Sequence, residues 1–217
     1  MIIAIDGPAG CGKSTIARIL AKTTGFFYLD TGAIYRALTL KVIEEKLDIA
    51  DESALIKKIE DTSLEIKNTQ EGLVKVIMDG RDVTAKIRLP QVNQLVPDLS
   101  RIKKIRDIVL VWQRDMVKDN NVVLEGRDIA TVVFPNAEYK FYLDASFSER
   151  VRRRDNDLKQ SGQEMNLNDV EAELKRRDFI DSTRKYAPLK KAAEAIYIDT
   201  TKMTIEEVVN KILKEIR

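Results

Sequence analysis

Short apolar runs recur along the chain between longer stretches in which apolar residues return every three or four positions. The runs are IIAI from Ile2 to Ile5, FFYL from Phe26 to Leu29, VVLE from Val122 to Glu125, YKFYL from Tyr139 to Leu143 and AIYI from Ala195 to Ile198. Runs this short, with little polar alternation, predict five strands buried on both faces. Helical spacing lies between or after them, with Ala17, Leu20 and Ala21 on one face of the first helix. A repeated β-α order of this kind predicts a parallel sheet covered by helices on both sides. Two helix starts, Ser146 with Glu149 and Thr204 with Glu207, have capping-box spacing just after a predicted strand.

The alternation breaks between about Asp51 and Arg88. There DESALIKKIEDT reads as helix, SLEIK and LVKVIM read as strands, and Asp79-Gly80 is a turn signal. This predicts a small, partly β, inserted subdomain. A long helical pattern returns from Leu99 to Lys118, and the chain from Ser146 to Lys191 is charged and helical. The 217 residues contain no internal repeat or low-complexity tract, and their length favours one domain carrying that insertion.

Composition narrows the chemistry. The net charge of +2 gives no bulk attraction to nucleic acid or membrane, so any basic site must be local. The chain has no histidine, which excludes Ser-His-Asp and Cys-His catalytic units, histidine metal sites and a histidine pH switch. Cys11 is the single cysteine and has no intramolecular disulfide partner, which fits a reducing cytosol. The apolar start ends at Asp6 and Gly7, far short of a membrane span of about 20 residues. The expectation is a cytoplasmic protein that is neither exported nor inserted in a membrane.

Gly7, Pro8, Ala9, Gly10, Cys11, Gly12, Lys13 and Ser14 satisfy G-x-x-x-x-G-K-[ST] at every fixed position, between a predicted strand and a predicted helix. Glycines there let successive N–H groups turn toward phosphate oxygens, and the helix N-terminus adds partial positive charge. Lys13 would reach the β and γ phosphates, Ser14 would offer its hydroxyl to Mg²⁺, and Thr15 offers a second hydroxyl nearby. The bland alternative is a glycine-rich turn with an exposed lysine. Cys11 reads as a small loop filler; a reactive thiol beside a helix N-terminus is the sharper alternative.

A phosphate loop alone does not separate a kinase from a GTPase, a motor or a nucleic-acid enzyme. A small-molecule kinase also needs a second anion site, for which arginine's planar fork is suited. Arg36 in LDTGAIYR, and Arg127 with Asp128 in EGRD, both follow predicted strands at the edge where parallel sheets bind ligands. A surface ion pair or helix cap is the alternative for each. From Ser146 to Lys191 there are twelve basic residues against nine acidic ones, the chain's one regional excess of positive charge. It coincides with RVRRR at Arg150 to Arg154 and a cluster around Arg177, as a cover over a triphosphate requires. Charge runs are usually solvated helix faces, and no more than half of these arginines are expected to touch ligand.

Five segments carry a resemblance: IDGPAGCGKST, LDTGAIYR, GRD-x-x-TVVFP from Gly126 to Pro135, FYLDAS, and RRDFIDSTRKYAPL from Arg176 to Leu189. They resemble the bacterial cytidylate kinases, the CMP/dCMP branch of the nucleoside monophosphate kinases, nearly end to end. The resemblance implies an α/β P-loop NTPase fold with a five-stranded parallel sheet covered by helices. It also implies an inserted CMP-binding subdomain at about residues 40–96 and a short lid at about 150–166, within a single kinase domain over 1–217. It implies that Arg36, Arg127 and Arg184 grip the CMP phosphate, that Arg106 and Asp128 read cytosine, and that Arg177 and Asp181 touch the sugar, with Thr31 also at the CMP site. The base-reading roles make chemical sense unaided: cytosine's exocyclic amine suits a carboxylate, and its acceptors suit a guanidinium. One departure stands out. Where the family often has a small hydroxyl residue contacting the base, Pro97 falls here. Either Ser100 or a backbone group takes that contact, the register differs by a few residues, or base discrimination is weaker.

The expected activity is therefore ATP-dependent phosphorylation of CMP and dCMP in pyrimidine metabolism, with Mg²⁺. Lys13 and the lid arginines Arg150, Arg153 and Arg154 would neutralise the transferring charge. The expected partners are small nucleotides, with no nucleic acid or membrane, and the chain is expected to be a monomer. The rivals are a kinase for another small acceptor, a nucleotide-binding switch, and an RNA-binding module on the basic segment. The last lacks aromatic stacking residues between Phe147 and Phe179.

Overall fold

The computed structural model describes residues 1–69, 74–118, 120–160, 162–163 and 165–216. The expected strand LVKVIM begins at Leu73, outside the described residues; so do residues 70–73 of the expected insertion, residues 161 and 164 of the expected lid, and Arg217.

In chain order the elements are β1 (Ile2–Asp6), α1 (Lys13–Thr24), β2 (Phe27–Asp30), α2 (Thr31–Glu44), α3 (Glu52–Glu60), β3 (Leu64–Asn68), β4 (Val74–Met78), β5 (Arg81–Asp82), α4 (Pro90–Ser100), α5 (Lys103–Met116), β6 (Val122–Gly126), β7 (Tyr139–Asp144), α6 (Phe147–Gln160), α7 (Leu167–Thr183), β8 (Ile196–Asp199) and α8 (Ile205–Glu215). A short 3₁₀ turn, Lys86–Arg88, precedes α4, and a π-helical turn, Ile129–Val133, follows β6. All five expected core strands form. They make one parallel sheet in the order β2-β6-β1-β7-β8. Parallel strands need crossover connections, and the helices that supply them bury both faces. One face packs on α1 and α8 through Ile16, Leu20, Val208 and Ile212. The other face, through Ala4, Leu29, Val122 and Leu124, shares a core with α2, α4 and α5.

Strands β3, β4 and β5 form a separate antiparallel sheet. Met78 pairs with Arg81 across Asp79 and Gly80, whose φ values of 49° and 75° are those of a two-residue I′ turn. The turn signal thus forms the hairpin it implies. This sheet is no free-standing unit, because Leu55, Ile59, Val76, Met78 and Ile87 belong to the same hydrophobic cluster as Leu29 and Leu124. Helix α2 lies at the centre of that cluster, with 11 of its 14 residues buried. Arg36, on α2, is accordingly buried.

Three expectations change. The helix expected from Leu99 to Lys118 is interrupted at Arg101 and Ile102, so that α4 ends and α5 begins there. Helix α4 contains Pro97 in its interior, a residue that periodicity reads against because it cannot donate to the ladder. From Arg184 to Lys191 the chain is not helical, since α7 stops at Thr183. Of the two capping boxes, that at Thr204 and Glu207 closes in both directions. At Ser146 only the Glu149 N–H reaches the hydroxyl, at 3.4 Å, because the Glu149 carboxylate is taken by Arg152 and Arg153. No described helix is long and apolar enough to cross a membrane.

Candidate nucleotide site

The turn from β1 into α1 places glycines where a side chain is not tolerated. A Cβ on Gly7 would meet the Leu143 carbonyl oxygen at 2.0 Å, and Gly12, with φ +96°, caps α1 in the left-handed region. Lys13 opens α1 and is almost fully buried; its Nζ donates to the Pro8 carbonyl at 2.6 Å and lies 3.5 Å from the Cys11 sulfur. Burial, with Arg127 nearby, pulls its ammonium below the ordinary lysine range. The Cys11 thiol is itself buried in the core beneath the loop, as a filler would be. Ser14 donates to Glu125 Oε1 at 2.6 Å, and Thr15 lines the same cleft.

That cleft, about 540 Å³, runs from the glycine loop past the ends of β2 and β6 to α4, α5 and α7. Its far side is arginine-rich. Arg106 donates to Asp128 at 2.5 Å and to the Ser100 carbonyl at 3.0 Å, while Arg184 reaches Asp128 at 3.4 Å and Asp181 at 3.6 Å. Arg127 Nε donates to Asp181 at 2.8 Å, and Arg177 lies 3.9 Å from the same carboxylate. Arg36 and Arg88 share Asp30, at 2.6 and 3.0 Å. Six guanidinium groups thus meet three carboxylates, all lining one cleft. Burial of unbalanced charge is costly, and such an excess is met by an anion that brings its own negative charge. Burial, together with Arg127, lowers Arg177 to about 10. Burial would raise Asp181, yet Arg127, Arg177 and Arg184 bring it below its ordinary value.

The structure therefore brings Arg36, Arg106, Arg127, Asp128, Arg177, Asp181 and Arg184 onto one cleft with the loop residues Ala9 to Thr15. Thr31 lines it too, but its hydroxyl donates to the Glu125 carbonyl at 2.7 Å. Pro97 and Ser100 both face the cleft, with the Ser100 hydroxyl donating to the Pro97 carbonyl at 3.1 Å.

The three lid arginines divide. Arg154 and Arg153 line the cleft. Arg154 reaches Glu173 at 3.2 Å, and Arg153 is pinned to Thr200 and to the Cys11 carbonyl. Arg150, expected beside them, is not among the residues that line the cleft. Its buried guanidinium donates to the carbonyls of Ala145 and Ala9 and to Asp178, which clamps the outer side of the glycine loop to α7.

Sequence reasoning passed over Asp6, Asp30, Glu125 and Arg88. The first three share a signal, a lone carboxylate at the end of an otherwise apolar strand. Asp30 caps α2, accepting from the Ala33 N–H at 3.0 Å while it holds two arginines. Burial would raise its carboxyl, but Arg36 and Arg88 outweigh burial and bring it to about 2. A carboxylate whose folded pKa is depressed contributes stability that is present above the unfolded pKa and lost as pH falls through the folded one. The advantage of the wild type over Asp30→Asn should thus carry a pH-dependent part of about 2 kcal/mol, full near pH 6 and lost between about pH 4 and pH 2. Urea denaturation across that range measures it; a constant difference would mean that the two arginines do not hold this charge.

A family model described as cytidylate kinase matches residues 3–217. A cytidylate kinase of Carboxydothermus hydrogenoformans is 48% identical over 214 residues, covering 99% of this chain and 96% of that protein. One from Caldanaerobacter subterraneus subsp. tengcongensis is 46% identical over 215 residues, covering 99% and 94%. Among solved structures, an uncharacterized protein from Eubacterium ventriosum superposes with a TM-score of 0.53 at 12% identity, covering 100% of this chain and 98% of the other, a likeness of fold.

Proposed function

The chain belongs to the cytidylate kinase family and phosphorylates CMP with ATP as co-substrate, and we propose that the cleft described above holds both nucleotides end to end, dCMP being accepted as well. The observation that carries this reading is the pairing, along one cleft, of a glycine loop ending in Lys13 and Ser14 with six arginines held on three carboxylates. One end is shaped for a triphosphate, and the other carries a positive excess for a monophosphate.

ATP would lie with its phosphates on Gly7 to Thr15 and its base toward Met203, Thr204, Ile205 and Val208, which line the cleft beyond Gly12. CMP would lie with its phosphate at Arg36, Arg127 and Arg184, its base at Arg106 and Asp128 and its sugar at Arg177 and Asp181. An oxygen of the CMP phosphate attacks the γ-phosphorus in line, that P–O bond forms, and the β,γ-bridging P–O bond breaks with its electrons leaving on ADP. The attacking oxygen is already anionic, so no general base is required. Lys13, Arg153 and Arg154 contribute charge around the transferring group.

The Ser14 hydroxyl and the Glu125 carboxylate, 2.6 Å apart, are hard oxygen donors of the kind that suits Mg²⁺. Among the described residues no cluster of three or more acidic or cysteine side chains forms an all-protein metal cage. An Mg²⁺ ion held by Ser14 and Glu125 would neutralise charge on the β and γ phosphates.

The inserted sheet would form the wall on the CMP side, and the segment at about residues 150–166 would form the lid. The core between α6 and α7 is small: Val151, Leu158, Val170 and Leu174 against Ala9 of the loop.

Initial rates from MgATP to CMP, dCMP, UMP and AMP test the assignment. CMP and dCMP should turn over fast and UMP about 10²-fold or more slower, because uracil sets a carbonyl against Asp128. Equal turnover of UMP would overturn the base-reading role, and failure of every acceptor would point to a nucleotide-binding switch.

A further inference from the structure

The π-helical turn Ile129–Val133 belongs to the GRD-x-x-TVVFP segment and begins directly after Arg127 and Asp128. Its first N–H groups have no partner within the turn, as at any helix start. Both are taken by one side chain from another strand: Asp6 Oδ1 accepts from the Ile129 N–H at 2.9 Å, and Oδ2 accepts from the Ala130 N–H at 2.8 Å. The other end of the turn is closed by Arg114, which donates to the carbonyls of Val133 and Val132 at 3.0 and 3.3 Å. Asp6 is 1% exposed, and its own backbone pairs in register with Gly126, the residue before Arg127.

From this arrangement we infer that Asp6 is a positioning residue, which sets Arg127 and Asp128 at a fixed place relative to the phosphate loop. The inference rests on the reading of Arg127 and Asp128 as CMP contacts. Asp6 is joined by a peptide bond to Gly7, whose backbone runs so close to Leu143 that an added Cβ would meet the Leu143 carbonyl oxygen at 2.0 Å. The same residue thus ends the strand that presents the ATP loop and holds the turn that presents the CMP contacts. Two N–H groups demand two acceptors, and a carboxylate supplies both. An asparagine would supply one and set its amide N–H against the other, leaving a buried donor unpaired. Burial pushes the Asp6 carboxyl up to about 7 despite those two N–H groups and Lys13.

The test is Asp6→Asn in the full chain, beside Asp128→Asn as a control, with kcat and KM measured for CMP and UMP and KM for ATP. For Asp6→Asn the CMP KM should rise about tenfold and the CMP-over-UMP ratio of kcat/KM should fall about tenfold, as a displacement of the contacts by a fraction of an ångström requires. The ATP KM should stay within about twofold, a split that a general loss of structure would not give. An unchanged ratio in Asp6→Asn, with a lowered ratio in Asp128→Asn, overturns the positioning role. An unchanged ratio in both overturns the base-reading assignment instead. Should Asp6→Asn fail to fold, Arg114→Gln loosens the opposite end of the same turn: a fall in the ratio supports the inference, and an unchanged ratio overturns it.

Discussion

Lys13→Ala is expected to lower kcat for CMP phosphorylation by roughly 10³-fold, the scale of removing a charge that acts on the transferring group in a water-poor site. The structure says why the loss should fall on kcat. Lys13 is the first residue of α1, its ammonium is held inside the glycine loop by the Pro8 carbonyl, and burial already depresses its pKa. A desolvated cation interacts strongly with phosphate oxygens whose charge shifts during transfer. The proposed CMP contacts lie on other elements, so the CMP KM should change little. Stability should also change little, because removing a buried ammonium relieves the cost of its desolvation, while the positive-φ glycines Gly10 and Gly12 that turn the loop are untouched. Thermal melts by circular dichroism and single-turnover transfer with CMP are the measurements. A variant that folds and retains kcat within about tenfold would remove Lys13 from the transfer step.

The core sheet was legible because each strand is a short apolar run, and the ends fell within a residue or two of where β1, β2, β6, β7 and β8 stand. The phosphate loop was legible because its glycines answer to backbone geometry that no other residue supplies. What escaped was set by long-range contact. Asp6 and Glu125 look like punctuation at strand ends until the fold brings them to the Ile129 and Ala130 N–H groups and to Ser14, each more than a hundred residues away. Arg150 was read with its neighbours as part of a charge run. Its partners, Ala9 and Asp178, depend on how α6 packs against the loop and α7, which spacing does not encode. The interior proline of α4 hid that helix for a local reason, since periodicity arguments end at such a residue. The Ser146 capping box half-formed because Glu149 had two arginines within reach, a competition visible in sequence only as a cluster of charges.

For Asp128→Asn the largest expected effect is on discrimination: the CMP-over-UMP ratio of kcat/KM should fall by about 10² or more, through loss with CMP and gain with UMP. Asp128 is held almost out of solvent between Arg106 and Arg184, so its two oxygens are oriented before any base arrives. Arg106 is in turn steered by the Ser100 carbonyl and stands 5.5 Å from the Tyr35 ring centroid. A carboxylate in this position can only accept, which favours the cytosine amine and opposes the uracil carbonyl. An amide offers a donor to that carbonyl and an acceptor to that amine, so the preference relaxes. Pro97 lines the same cleft, and the neighbouring Ser100 hydroxyl donates to the Pro97 carbonyl of its own helix. Loss of charge between two buried arginines should cost about 3 kcal/mol of stability, since each keeps a neutral acceptor or another carboxylate. The kinetic ratio separates this from mere weakening, because a softer fold lowers turnover of both acceptors together. A ratio that stays at the wild-type value, in a folded protein with normal ATP affinity, would move base recognition away from Asp128 and onto Arg106 with the backbone around Ser100.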